Sequence, residues 1–194
     1  MTGRRDDGIV VVMPGPPMTI DQYFLTPETM LPQELVWGMV RDAPAPAPGH
    51  QWVVGQFYVA LREHVRRHSW GRVWVSPIDV VLDRHRHLVV QPDVILVAEA
   101  HAGIVTDRVW GPPDLVIEVL SPRPRIGTLE ERIAWFAQYG VRECWLVQQD
   151  ERTVEVLEFS SGIVVDRRLC LSDEPLRSSV LPAFSATPAA IFGH

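Results

Sequence analysis

Asp114-Leu115-Val116-Ile117-Glu118-Val119-Leu120-Ser121-Pro122 decides how this chain is read. Leu115, Val116, Ile117, Val119 and Leu120 leave no polar alternation, which is the pattern of a central strand covered on both faces in an α/β sheet. An acid inside such a run is costly unless it is paired, protonated or bound to a metal. Glu118 is that acid. A second acid, Asp93, opens a comparable run, Pro92-Asp93-Val94-Ile95-Leu96-Val97. Two carboxylates at matching places on two apolar strands form a candidate site for a hard cation such as Mg²⁺, which prefers oxygen ligands.

Upstream of these strands, His50 to about Arg67 reads as a long helix, because Val54, Phe57, Tyr58, Leu61 and Val65 recur at helical spacing. Thr19-Ile20-Asp21-Gln22 reads as a capping box opening a short helix. Glu34 to Val40 reads as one extended segment, followed by a stiff connector carrying Pro44, Pro46 and Pro48. Between Val73 and Val97 the pattern is β: Val73 to Val75, Ile78 to Leu82, and Leu88 to Val97. The polar stretch Asp83 to His87 reads as a hairpin turn, and 98–113 as a loop.

Downstream, Leu129, Ile133, Phe136 and Ala137 predict a second helix over about Thr128 to Tyr139, with Gly140 ending it. Trp135 and Trp145 are expected to pack that helix on the sheet. Three strands follow, at Glu143 to Gln148, Thr153 to Phe159 and Ile163 to Leu169. The weakly patterned stretch after Leu171 is expected to pack against the body. Residues 1–18, rich in Gly, Pro and charge, read as a flexible arm. Residues 19–194 read as a single domain.

Composition narrows the function classes. The 194 residues are 46% hydrophobic and 22% charged, ordinary for a globular protein. A net charge of −6 gives no overall attraction to nucleic acid, so phosphate contacts would fall to local basic clusters. Arg62, Arg66 and Arg67 form one such cluster, Arg84-His85-Arg86-His87 another, and Arg123 with Arg125 a third. The chain has no lysine, so no lysine is available as a general base or as a point charge for phosphate. Cys144 and Cys170 lack metal-site spacing and suggest no disulfide framework, which fits a reducing cytoplasm. No apolar stretch is long enough to span a membrane.

The order of elements, strand, strand with Asp, strand with Glu, helix, strand, is that of a restriction-endonuclease-like core. Several blocks add to it: Leu35-Val36-Trp37-Gly38, the Pro-rich connector to His50, Gln91-Pro92-Asp93-Val94, Pro113 to Pro122, and Tyr139-Gly140-Val141-Arg142-Glu143-Cys144-Trp145-Leu146-Val147. Together they resemble the Uma-two family of bacterial nucleases of the PD-(D/E)XK type, over about Thr19 to Phe159. The resemblance implies an α/β fold, a mixed twisted sheet flanked by helices with additional strands at the N- and C-terminal sides. It makes Asp93 and Glu118 metal-binding carboxylates, with the backbone carbonyl of Val119 as third protein ligand to Mg²⁺ or Mn²⁺. His50 matches a position that can approach the same site.

This sequence departs from the pattern in places. The basic residue expected on the following helix is Arg132 rather than lysine. The acid usual four residues before it is Thr128, and the Asp-Pro after the Trp-Leu-Val strand is Gln148-Gln149. Arg132 can stabilise charge in a transition state, but it cannot act as a base.

Other readings stand beside these. Glu118 could pair with Arg132 or another arginine without any metal. Asp93 could simply begin a strand, and Asp114 could cap the strand mouth although it shares parity with Glu118. His50 could be an ordinary first-turn helix residue, and Arg132 a surface residue with its stem over the core. The function expected is metal-dependent phosphodiester hydrolysis of nucleic acid of unspecified type, with Arg123 and Arg125 positioning the backbone. The alternatives are an inactive nuclease fold serving as a nucleic-acid-binding or protein-assembly module, and hydrolysis of some other phosphoester. No membrane partner is expected, and a homodimer is expected from fold analogy alone.

Overall fold

The computed structural model describes residues 17–27, 31–121 and 128–193. Helix α1 (Ile20–Phe24) opens with the expected capping box: the Gln22 amide donates to the Thr19 hydroxyl, and the Thr19 amide donates to the Gln22 side chain. The single extended segment expected next is instead an antiparallel hairpin of β1 (Gln33–Val36) and β2 (Met39–Asp42). Its two-residue turn holds Trp37 at φ 53° and Gly38 at φ 78°, the paired positive values that match the twist of tight hairpins. A Cβ on Gly38 would also lie 2.9 Å from the Cβ of Pro17.

Helix α2 (Pro48–His68) buries His50, Val53, Val54, Phe57, Leu61 and Val65 along one face. Strands β3 (Gly71–Val75), β4 (Val80–Asp83), β5 (Leu88–Val90) and β6 (Val94–Ala98) follow. The Arg-His turn does join β4 and β5 as an antiparallel pair. The run from Leu88 to Val97, however, is two strands. Pro92 has no amide to give a ladder, and the chain changes sheets across Gln91-Pro92-Asp93. The loop after β6 holds a 3₁₀ turn (Glu99–Ile104) and the short β7 (Val109–Trp110).

Strand β8 (Leu115–Leu120) then leads through α3 (Leu129–Tyr139) to β9 (Glu143–Gln148), which is parallel to it. Strands β10 (Thr153–Ser160) and β11 (Ile163–Cys170) and helix α4 (Pro188–Phe192) complete the described chain. Two mixed sheets result. One has the order β11-β10-β9-β8-β6-β3, the other β2-β1-β5-β4-β7. The additional N-terminal strands thus build a second sheet rather than widen the first.

Strand alternation sorts the core. Leu115, Ile117 and Val119 face α2, together with Trp145, Val154 and Val156. Val116 faces the other way, with Ile95, Cys144 and Leu146, onto α3 and the inner face of the second sheet. Trp135 packs α3 on the sheet as expected. Trp145 lies on the opposite face, edge-on to Phe57 of α2. The stretch after Leu171 is core: Leu176, Val180, Leu181, Phe184, Ile191 and Phe192 close the α2 layer. Among the described residues no helix is long and apolar enough to cross a membrane.

Phe57 joins these parts. It is 0% exposed and meets Trp145 of β9 and Phe192 of α4 edge-to-face, with ring centroids at 6.4 and 5.8 Å. Phe57→Ala is therefore expected to lower unfolding stability by about 3–5 kcal/mol, measured by urea denaturation.

Candidate active site

Register brings the two acids together. β6 and β8 pair antiparallel, with Val94 opposite Ile117, and one step beyond the ladder the same register sets Asp93 opposite Glu118. Asp93 Oδ2 accepts the Val119 amide at 2.8 Å. His50, from the first turn of α2, closes the group: its Nε2 lies 3.1 Å from the Val119 carbonyl oxygen and 3.3 Å from Asp93 Oδ2. The bond to that carbonyl needs the hydrogen on Nε2. Nδ1 of the same ring is buried and has no hydrogen-bond partner among the described residues.

Glu118 itself points toward α3 and meets Arg132. The Nε and Nη2 groups of Arg132 donate to Glu118 Oε1 at 3.1 and 2.6 Å. Its Nη1 donates to both oxygens of Glu34, each at 2.9 Å. Arg132 therefore lies at the edge of the apolar stripe yet buried, clasped between two carboxylates. Glu34 is 1% exposed and also accepts the Gln91 amide at 2.7 Å. Gln91 in turn donates through Nε2 to Asp79 at 2.9 Å. Sequence reading did not single out Glu34. The available signal was an acid beside Leu35 and Val36, the same kind of feature that marked Glu118.

Burial pushes the Glu118 carboxyl up to about 7 from its ordinary 4.5; Arg132 opposes the rise and Asp93 adds to it. Burial works against the Arg132 guanidinium, but Glu118 and Glu34 more than offset it, so its pKa is raised and the cation is held. Thr128, where the resemblance predicts an acid, is the N-cap of α3, and its hydroxyl accepts the Glu131 amide at 3.2 Å.

Asp114 is not part of this group. It sits at the far end of β8, 2% exposed, and accepts from the Ala98 amide at 2.7 Å, His101 Nδ1 at 2.8 Å and Arg142 Nη1 at 3.3 Å. It ties the strand mouth together rather than serving the carboxylate pair. Arg123 and Arg125 lie outside the described residues. In the Arg-His turn, Arg86 stacks over Trp37 at 4.4 Å and Arg84 over Trp110 at 5.4 Å.

Asp93, Glu118, Val119, His50, Glu34 and Arg132 line one cleft of about 730 Å³. No three described His, Cys, Asp or Glu side chains are gathered as a metal cage. A cation here would rest on the two carboxylates and the Val119 carbonyl, with water and substrate completing the shell, as Mg²⁺ usually requires. The donor set fits that demand. Among the described residues, the bonds that fix each acid fall on one oxygen, Oδ2 of Asp93 and Oε1 of Glu118, so the other oxygen of each carboxylate would be the one to meet a ligand.

The family model of Uma2, described as "putative restriction endonuclease", matches residues 20–189. The chain belongs to that family. Among solved structures it is similar to the crystal structure of a "putative nuclease" from Anabaena variabilis, at 18% identity and a TM-score of 0.76. The match covers 91% of this chain and 98% of that one, and it shows the fold, a restriction-endonuclease-like α/β arrangement. No curated protein matches the sequence.

Two outcomes follow from the clasp. Arg132→Ala strands Glu34 and Glu118 without their cation and should lower stability by about 3–5 kcal/mol in urea unfolding. The second concerns pH. Because the folded-state pKa of Glu118 is raised, the unfolded chain loses that proton first. Its contribution therefore becomes unfavourable as pH rises from about 4.5 to about 7 and levels off above. In metal-free buffer, the stability of Glu118→Gln relative to wild type should increase across that window, as read from urea midpoints at a series of pH values.

Proposed function

We propose that this chain is a nuclease that hydrolyses phosphodiester bonds in nucleic acid with the help of Mg²⁺ or Mn²⁺. The observation that carries the reading is the placing of Asp93 opposite Glu118 by the β6–β8 register, at the cleft wall of a chain belonging to the Uma2 family. A divalent cation bound there supplies Lewis acidity toward a phosphoryl oxygen and makes a bound water more acidic. Asp93, Glu118 and the Val119 carbonyl are the residues that would hold it.

The remaining groups orient and balance charge. The Val119 amide fixes the Asp93 carboxylate, and His50 Nε2 steadies both Asp93 and the Val119 carbonyl. Arg132 cannot deprotonate water. Its Nε and Nη2 donate to Glu118 and its Nη1 donates to both oxygens of Glu34, which leaves the second N–H of Nη2 for a phosphate oxygen. Its role is a fixed positive charge beside the reacting phosphate. The two free buried cysteines are consistent with work in a reducing cytoplasm.

One observation favours a second reading. An arginine clasped by two acids, where the family pattern has a lysine, describes equally a site retired from catalysis and kept as a nucleic-acid-binding or assembly module. Arg132→Lys separates the two. In an active enzyme, wild type cleaves DNA or RNA with Mn²⁺, and Arg132→Lys keeps the charge but loses the double clasp, lowering the rate. In a retired one, wild type is inert and Arg132→Lys restores cleavage. If both proteins are inert toward DNA and RNA with Mg²⁺ and Mn²⁺, nucleic-acid hydrolysis is ruled out and the binding-module reading takes its place.

Metal binding can be measured separately. Calorimetric titration with Mn²⁺ should show a site that Asp93→Ala and Glu118→Ala each abolish. Affinity should rise as pH passes through about 7, because a proton on Glu118 competes with the cation. Unchanged affinity in either variant would remove that residue from the site.

A further inference from the structure

Among the described strands, β11 pairs with β10 alone and forms one edge of the six-stranded sheet. A bare edge offers amides and carbonyls to another extended chain, and its side chains decide whether a neighbour is accepted or repelled. Charges usually protect an edge, and β11 carries three, Asp166, Arg167 and Arg168. Yet four of the ten exposed large apolar side chains of the described residues fall within 163–171: Ile163, Val165, Leu169 and Leu171. Val165 and Leu169 are each 56% exposed.

The order of these residues is symmetric. Reading outward from Arg167 in Ile163-Val164-Val165-Asp166-Arg167-Arg168-Leu169-Cys170-Leu171, each apolar residue has an apolar counterpart at the same distance on the other side. Asp166 has Arg168. Two identical strands paired antiparallel about a two-fold axis set residues at equal distances from the axis opposite one another. With the axis at Arg167, Val165 faces Leu169 of the other copy, and Asp166 faces Arg168 of the other copy. Each pair occurs twice. Opposite charges across a ladder stabilise it, and like charges destabilise it. An axis at Asp166 would set that aspartate against itself and Val165 against Arg167. An axis at Arg168 would set that arginine against itself and Arg167 against Leu169. Only the axis at Arg167 matches both the charges and the apolar residues.

Arg167 faces itself on that axis, but its charge is balanced within its own sheet, where Nη1 lies 3.4 Å from Glu155 Oε1 of β10. Arg168 is already fixed at the edge: Nε donates to Asp166 at 2.9 Å and Nη2 to Glu158 at 2.7 Å. Those bonds leave its Nη1 for a carboxylate of the other copy. The β10–β11 register shifts between Glu158 and Phe159, so the pairing is confined to 165–169, with Ile163 and Leu171 as apolar flanks.

We infer that β11 is an interface between two copies of this chain, paired antiparallel about a two-fold axis at Arg167, so that the six-stranded sheet continues from one copy into the other. Sedimentation velocity on the full chain, over a roughly hundredfold range of concentration, should show a monomer–dimer equilibrium. Asp166→Arg sets arginine against arginine, and Arg168→Asp sets aspartate against aspartate, so each variant alone should be monomeric. Mixed in equal amounts, the two variants regain both opposite-charge pairs, and the dimer should return. A role for Asp166 and Arg168 confined to one copy cannot produce that rescue. Wild type that stays monomeric, single variants that dimerise as wild type does, or a mixture that stays monomeric would each overturn the inference. If circular dichroism shows either variant unfolded, Arg167→Cys replaces them. Residues directly opposite in an antiparallel pair have Cα atoms about 4.5–5.5 Å apart, within disulfide reach, and both native cysteines are buried. Mild oxidation should then link two copies of Arg167→Cys and not of Ile163→Cys; no link, or an equal yield from both, overturns the inference.

Discussion

The antiparallel register of β6 on β8 is the constraint on which the site depends. Val94 faces Ile117, so Asp93 and Glu118 meet just beyond the ladder. The Val119 amide, freed from a partner on β6 at that point, goes to Asp93. A slip of one residue would turn every side chain of β6 to the other face and bury Asp93 where Val94 now packs. The core forbids it, since Val94 and Leu96 belong to the α2 layer and Ile95 to the α3 layer. Hydrophobic burial on two faces therefore holds a polar pair in place at the end of the strands.

Charge balance is the second level of organisation. Glu34 and Glu118 flank one arginine, and Asp93 lies near enough to Glu118 to act on it as a further carboxylate. Desolvation then raises the Glu118 carboxyl toward neutrality. Arg132 does the structural part of the balancing through Glu34 and one oxygen of Glu118. A buried ion pair of this kind seldom adds net stability over a packed apolar group, yet removing one member is costly. The clasp thus acts as a constraint on geometry: it links β1, β8 and α3 through one guanidinium.

Much of this was legible in the residues. An uninterrupted apolar run identifies β8 as central, and an acid within it points to a site without any knowledge of the fold. Asp93 was legible for the same reason. Local patterning could not show that Leu88 to Val97 is divided between two sheets. Both halves are equally apolar, and only the missing amide of Pro92 marks the break. Nor could it show Glu34, whose partner Arg132 lies far along the chain. The clasp is a long-range fact, fixed by where β1 lands against α3. The stretch after Leu171 escaped for a related reason: Leu176, Leu181 and Phe184 enter the core from irregular segments, which carry no period to detect.

The departures from the family pattern belong together when seen in this setting. Lysine offers a point charge on a single stem and cannot reach both Glu34 and Glu118 with paired bonds; the planar fork of Arg132 does. Thr128, in place of an acid, caps α3 at the level of the cleft. Gln149 donates its amide to the Leu120 carbonyl at 2.7 Å, and Gln148, where the pattern has Asp, lines the cleft as a neutral group. Among the described residues the lining already carries four acids against Arg132, and acids at these two positions, as the resemblance predicts, would have made six. Neutral groups at Thr128 and Gln148 leave the described lining less negative than acids there would make it, while arginine at 132 keeps the charge of a lysine and adds the fork that holds both carboxylates.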